Sequence, residues 1–301
     1  MKSYAFVSSQ YLNGYYGLRY IISDGSMNYE KYTVYHGATS RIDLVQSTTV
    51  TTTEVVPVCV WIEGSTLRFG SSSNGMNIIT ESKFNVHTIV ASGVTEGLAL
   101  TYVGGLPVIV YATSSSLHLL VGQSALPTNA GEWNTYDITP GGSTISCRGI
   151  SIIEKDSTTL LLTMKNRTDN KLYYGVITTS GVSTYHDVIS VGTTGAESSM
   201  GDGIRIWQNV PVIITTYNNG TTRAQVIFLK ANNETPTSSS DWVNDIVADT
   251  IDPTWGYINN GFGRACFSPG VANNATLLYG SFSQNAANSN INIFTVVATV
   301  V

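Results

Sequence analysis

An all-β fold of repeated antiparallel sheets is what this sequence predicts, on three observations. First, a short motif recurs six times: an aromatic, His or Asn, then Thr or Asp, then a β-branched residue. The copies are Tyr32-Thr33-Val34, His87-Thr88-Ile89, Tyr136-Asp137-Ile138, His186-Asp187-Val188, Asn244-Asp245-Ile246 and Phe294-Thr295-Val296. Their centres are separated by 55, 49, 50, 58 and 50 residues, and a period of that size marks a propeller or a stacked array. Second, apolar runs alternate with Gly, Ser and Asn turns and no segment has helical periodicity, as antiparallel hairpins require. Third, 42% of residues are hydrophobic and 12% charged, enough for a large core beneath a hydroxyl- and amide-rich surface.

The third copy gives the plan of one repeat. Leu98 to Tyr102 reads as a short strand and Val103-Gly104-Gly105 as a turn. Leu106-Pro107-Val108-Ile109-Val110-Tyr111 is a near-continuous apolar run, the pattern of a strand covered on both faces. Leu117-His118-Leu119-Leu120 makes a third strand, and Trp133 to Ile138 a fourth. The second strand has counterparts in Val56 to Trp61, Leu160 to Leu162 and Val210 to Ile214. The third has counterparts in Leu18-Arg19-Tyr20, Leu67-Arg68-Phe69-Gly70, Leu172-Tyr173-Tyr174-Gly175 and Leu277-Leu278-Tyr279-Gly280. Pro107 and Pro211 near strand heads cost little, because that end need not donate to the ladder.

Tyr29, Phe84 and Trp133 each lie four residues before the Thr or Asp, which places a ring at each seam between copies; Trp242 stands one position out of step. Four strands per copy and six copies predict a six-bladed β-propeller, with a five- or seven-bladed ring or a β-sandwich array as alternatives. The whole chain reads as one such domain, with blades near 1–38, 39–92, 93–141, 142–192, 193–250 and 251–301. The first copy begins at its second strand, near Tyr4 to Val7, and the last ends on its outermost one.

A net charge of −5 and no Lys/Arg run argue against nucleic acid as a partner. Cys59, Cys147 and Cys266 form neither a zinc pattern nor a disulfide framework, and Cys59 and Cys266 sit in apolar runs as buried thiols would. Neither a signal peptide nor a membrane-spanning run is evident, so an extracellular role would need another route, such as assembly into a particle. No cofactor or metal is expected.

The Thr/Asp positions of different blades stand too far apart to converge on one ion. They read as acceptors for backbone of the next blade. No histidine pair has metal-ligand spacing, and no nucleophile elbow occurs. Glycoside-cleaving propellers need a carboxylate pair, and Arg41, Arg148, Arg205 and Arg264 lie in or near early strands with Glu54, Glu154 and Asp156 nearby. These are the candidates for lining a central channel. Seventeen Tyr and five Trp on a charge-poor chain suit neutral, hydroxylated ligands. Tyr15, Tyr16, Trp133, Tyr217, Trp242 and Trp255 are the candidate ligand-binding rings, on surface loops with Tyr11.

The stretch Leu100 to Tyr111, continuing to Trp133 and Ile138, resembles propeller-like repeat proteins of large DNA viruses, phages and bacteria, a likeness covering about half the chain. In length and blade count the chain is similar to fungal fucose-binding lectins, but it does not repeat their Arg, Glu and aromatic trio in each inter-blade pocket. Their sugar specificity therefore does not transfer. The resemblance implies a non-enzymatic binding or structural propeller at a virion surface or fibre, contacting host glycans or other capsid proteins. Alternatives are a free soluble lectin and a glycan-cleaving propeller enzyme. The expected location is the virion surface or the cell exterior, with the cytoplasm as the alternative.

Overall fold

The apolar runs become strands, and the Gly, Ser and Asn clusters between them become tight turns. The structure, a computed structural model, describes residues 3–10, 15–23, 29–37, 42–51, 54–76, 80–95, 97–141, 145–190, 203–218, 224–250, 266–269, 274–285 and 288–299. Among these the chain is all-β, and helical geometry is confined to 3₁₀ turns at Glu81–Lys83, Ala130–Glu132 and Ser239–Asp241.

The first sheet contains β1 (Ser3–Gln10), β2 (Tyr16–Ser23) and β3 (Tyr29–His36). The second contains β4 (Ile42–Thr51), β5 (Val55–Glu63), β6 (Thr66–Ser72) and β7 (Phe84–Val90). The third contains β8 (Leu98–Val103), β9 (Leu106–Ala112), β10 (Leu117–Gly122) and β11 (Trp133–Asp137). The fourth contains β12 (Cys147–Asp156), β13 (Thr159–Asn166), β14 (Lys171–Thr178) and β15 (Ser183–Ser190). The fifth contains β16 (Gly203–Trp207), β17 (Val210–Asn218), β18 (Ala224–Ala231) and β19 (Trp242–Thr250). The last contains β20 (Cys266–Pro269), β21 (Asn274–Asn285) and β22 (Asn288–Thr299).

Within each sheet, strands lie side by side in sequence order and pair antiparallel. Four strands per sheet therefore hold for the middle four sheets, while the first and last have three among the described residues. Hairpin chemistry fits the twist: Gly104 and Gly105 both have positive φ in the two-residue link between β8 and β9. Gln208 and Asn209 adopt the same left-handed pair between β16 and β17.

The chain forms two compact units. One is Met1–Thr139 with Asp156–Thr158 and Thr179–Gly181; the other is Pro140–Lys155, Thr159–Thr178 and Val182–Val301.

In the first unit, strand alternation sends Leu18, Tyr20 and Ile22 to one face of β2, where they pack with Cys59 and Trp61 of β5 and Phe84 of β7. The opposite face of β5, with Val58, Val60 and Ile62, joins Leu67 and Phe69 of β6 against Leu98, Ile109, Leu120 and Trp133 of the third sheet. Sheets cover β5 on both sides, so every residue after Val55 is buried. In the second unit, Leu161, Leu172 and Tyr174 of the fourth sheet meet Ile204, Ile213, Leu229 and Trp242 of the fifth. Each fully buried Leu or Ile contributes about 1.5–3 kcal/mol, so these seams supply much of the stability. Cys59 and Cys147 are buried, and burial pushes the Cys59 thiol well above its ordinary range.

Rings do occupy the seams. Phe84 lies 5.4 Å from Phe6, and Trp133 stands edge-on to Phe69 at 5.3 Å. The side chain of Tyr29 lies outside the described residues. Trp242 repeats the Trp133 contact against Tyr174, again edge-on at 5.3 Å.

The recurring motif lies in or at the end of the last strand of each sheet, and in the first, second and fourth sheets pairing explains its third residue. In the first sheet Thr33 faces Arg19 and Tyr35 faces Leu18, leaving Val34 as a β-bulge. In the second, Thr88 faces Arg68 and Val90 faces Leu67, leaving Ile89. In the fourth, Asp187 faces Tyr173 and Ile189 faces Leu172, leaving Val188. The bulge residues Val34 and Val188 are buried.

The fifth sheet corrects the expected frame. Ile246 faces Ile227 and Ala248 faces Val226, so Val247 is the bulge residue and the true copy is Asp245-Ile246-Val247. Trp242 is in step after all: it pairs with Ala231 at the head of its strand as Trp133 pairs with Gly122. A second Asp-plus-β-branched match one residue early had mimicked the repeat.

The expected partners of the Thr/Asp position are also corrected. Thr88 accepts from Arg68 Nη1 at 3.0 Å, Asp137 from the Thr139 amide at 2.9 Å, and Asp187 from Lys171 Nζ at 3.0 Å. All three donors belong to the residue's own sheet or the segment following it.

Candidate functional site

Glu63 ends the apolar strand β5, on the same face as Cys59 and Trp61 by strand alternation. Gly64, with φ +63°, turns the chain with Ser65 into β6 and returns Arg68 beside Trp61 in register. From the first sheet the bulge at Val34 brings Tyr35 into register with Leu18, on the face that meets the second sheet.

These three side chains converge. The Tyr35 hydroxyl donates to Glu63 Oε2 at 3.0 Å, and Arg68 Nε donates to the same oxygen in a short ion pair. Arg68 Nη1 donates to Thr88 Oγ1, and the guanidinium carbon stands 5.6 Å from the Tyr35 ring centre. Trp61 backs the cluster, with its ring 5.3 Å from that of Tyr35. The Glu63 side chain is 4% exposed and that of Arg68 26%, so one end of the ion pair is dry and the other reaches water. Burial, and then the bond to Glu63, push the Tyr35 phenol up to about 12, against the opposing pull of Arg68. The charges of Glu63 and Arg68 cancel, leaving a neutral site with a phenol, a carboxylate and a guanidinium in mutual contact.

The candidates named from sequence are placed differently. Trp133 and Trp242 open strands and are 7% and 8% exposed, buried at seams rather than displayed on loops. Both are corrected to packing residues. Tyr15 is 51% exposed, and Tyr16 begins β2, half-buried against the first seam. Tyr217 lies in β17 and Arg148 in β12, with side chains outside the described residues. Tyr11, Trp255, Arg41 and Arg264 also lie outside them. Glu154 is exposed on β12, and Arg205 of β16 turns its Nη1 back to the Ile204 carbonyl at 2.7 Å. Among the described residues no group of three or more His, Cys, Asp or Glu side chains could hold a metal.

Sequence reasoning noted Arg68 only as a third-strand residue and passed over Glu63 and Tyr35. The available signal was a glutamate closing an otherwise apolar strand, next to a turn glycine and five residues before an arginine.

No family model matches this chain, and no curated protein sequence matches it. Solved structures are similar in fold. A triple Arg-to-Ala variant of AofleA from Arthrobotrys oligospora aligns over 100% of this chain and 90% of its own, at 11% identity and TM-score 0.54. A thermostable family-43 glycoside hydrolase covers 86% of this chain and 93% of its own, at 10% identity and TM-score 0.48. The α-L-arabinofuranosidase of Lactobacillus brevis covers 96% and 88%, at 9% identity and TM-score 0.45. At these identities the likeness is one of fold, and that fold is of the β-propeller type.

The matches correct the expectation of a non-enzymatic component of a virion surface. Structures similar to this chain in fold include glycoside hydrolases. Low charge and a hydroxyl-rich surface, on which that expectation rested, serve a glycan-cleaving protein equally well.

Proposed function

We propose that the six sheets are the blades of a six-bladed propeller that cleaves glycosidic bonds, with Tyr35, Glu63 and Arg68 as its reacting centre. The observation that carries this reading is the phenol of Tyr35 donating to a buried carboxylate that is itself held by an arginine. Glycoside cleavage needs a nucleophile or base and a group to accept its proton, and a tyrosine can serve as nucleophile in some glycosidases. Here the Tyr35 oxygen bonds to the anomeric carbon while its proton passes to Glu63 Oε2. The bond from that carbon to the leaving oxygen breaks, and the leaving oxygen takes up the proton from Glu63, relayed by a water, which restores the carboxylate. A second water then attacks the anomeric carbon, leaves one proton on the released sugar and gives the other to the Tyr35 oxygen, which restores the phenol. With the phenol pushed up to about 12, free phenolate is scarce at neutral pH, so proton transfer accompanies attack rather than preceding it. Arg68 holds the Glu63 carboxylate in place beside the phenol. The neutral sum of charges favours neutral sugars over anionic ones.

The test is release of reducing sugar or nitrophenol from a panel of aryl glycosides and neutral polysaccharides. Turnover should fall at least about 100-fold in Tyr35→Phe and in Glu63→Gln, with circular dichroism unchanged, and should persist in Arg205→Ala. Binding of glycans with no turnover on any substrate would overturn the reading, as would full activity in Tyr35→Phe.

A further inference from the structure

Two seams carry the same histidine–tryptophan pair. In the second unit, Trp242 Nε1 donates to His186 Nε2 at 3.1 Å, across from the fifth sheet to the fourth. Tyr174 packs against both rings, 5.2 Å from His186 and 5.3 Å from Trp242. In the first unit, Phe69 lies between His87 at 5.4 Å and Trp133 at 5.3 Å in the same arrangement. There, His87 Nε2 and Trp133 Nε1 are both buried without a hydrogen-bond partner.

The loop before each tryptophan is also repeated: Pro127-Thr128-Asn129-Ala130-Gly131-Glu132 and Pro236-Thr237-Ser238-Ser239-Ser240-Asp241. Glu132 accepts from the Thr128 amide at 2.8 Å, and Asp241 from the Thr237 amide at 2.8 Å. A carboxylate thus stands near each histidine, and His186 faces an indole N–H as well.

We propose that the His186–Trp242 pair is an acid-sensitive latch between the fourth and fifth sheets. A neutral imidazole carrying its proton on Nδ1 offers Nε2 as the acceptor for the indole N–H. Once Nε2 is protonated it can only donate, so the indole loses its partner and the imidazolium turns to the carboxylate before the tryptophan. The charged groups facing His186 are Asp241 and, on its own strand, Asp187, which Lys171 holds at 3.0 Å. Burial pushes the His186 imidazole below its ordinary range, and these carboxylates only partly restore it. The unfolded chain therefore takes up protons first as pH falls, and the latch loses stabilisation from about pH 6.5 downward through the folded value.

The test is an NMR titration of the histidine ring protons and the indole Nε1–H signals from about pH 7.5 to about pH 5, spanning the ordinary imidazole value of about 6.5. His186 should titrate below that value, and the Trp242 indole signal should move with it. In His186→Gln, whose amide oxygen can accept without titrating, that indole signal should stay fixed. Titration of His186 at or above the ordinary value would overturn the proposal. So would a Trp242 indole signal that stays still through the wild-type titration or still moves in the variant. Should that variant fail to fold, the wild-type titration decides alone.

Discussion

The Tyr35 hydroxyl donates to the Glu63 carboxylate across the seam between the first two sheets, from 28 residues away in sequence. With Arg68 on the same oxygen, two donors from different sheets share one buried acceptor. The interaction thus ties the sheets together besides arranging the proposed reacting groups.

Removing one member should expose that dependence. Glu63→Ala leaves Arg68 and the Tyr35 hydroxyl without their acceptor and should cost about 2–3 kcal/mol, the lower end for a broken ion pair because Arg68 reaches water. Tyr35→Phe removes one hydrogen bond to a charged group and should cost about 1.5 kcal/mol. Urea denaturation followed by tryptophan emission measures both; equal costs would show that the ion pair adds nothing beyond the phenol's bond.

Gly175 should not accept a methyl group. A Cβ there would stand 2.5 Å from Cε1 and 2.6 Å from Cδ1 of Tyr185, the residue directly across the ladder. Gly175→Ala should cost about 2 kcal/mol through overpacking. Adding Tyr185→Ala should make the pair lose less than the sum of the two single changes in a double-mutant cycle.

Alkali should unfold the protein as its buried tyrosines are forced to ionise. Tyr20, Tyr35 and Tyr173 are each pushed up to about 12, with burial the foremost cause, and Tyr174 is pushed further up. Unfolding returns them to about 10, so the stability they contribute is intact below that pH and is lost as pH rises through the folded values. Phenolate absorbance should rise in one cooperative step with loss of circular dichroism; independent titration of all tyrosines near 10 in a folded chain would contradict this.

Much of the architecture was legible in the sequence because strand physics is local. The Val55–Glu63 and Leu106–Ala112 runs announce strands covered on both faces, and the Leu-x-aromatic-Gly of β6 and β14 announces a third strand; that a ring covers its glycine, Phe84 over Gly70 and Tyr185 over Gly175, emerges only from the pairing. The frame of β19 was misread because Asn244-Asp245-Ile246 imitates the repeat, and only strand pairing reveals Val247 as the bulge residue. The Tyr35, Glu63 and Arg68 cluster was hidden for a related reason. Two-residue alternation puts Thr33 and Tyr35 on one face, but the bulge at Val34 puts them on opposite faces. Trp133 and Trp242 misled in the other direction, since a large ring beside a polar loop reads as exposed until its neighbouring sheet is in place.

The inserted residue in β3 also limits how this protein can change. Were this strand to pair regularly, Val34 would stand opposite Leu18 and Tyr35 opposite Gly17, on the far side of the sheet, and the glutamate would lose its phenol. Register at this point of the chain is therefore as consequential as identity. A homologue with all three side chains intact but no extra residue accommodated here would keep the letters of the cluster and lose the cluster itself.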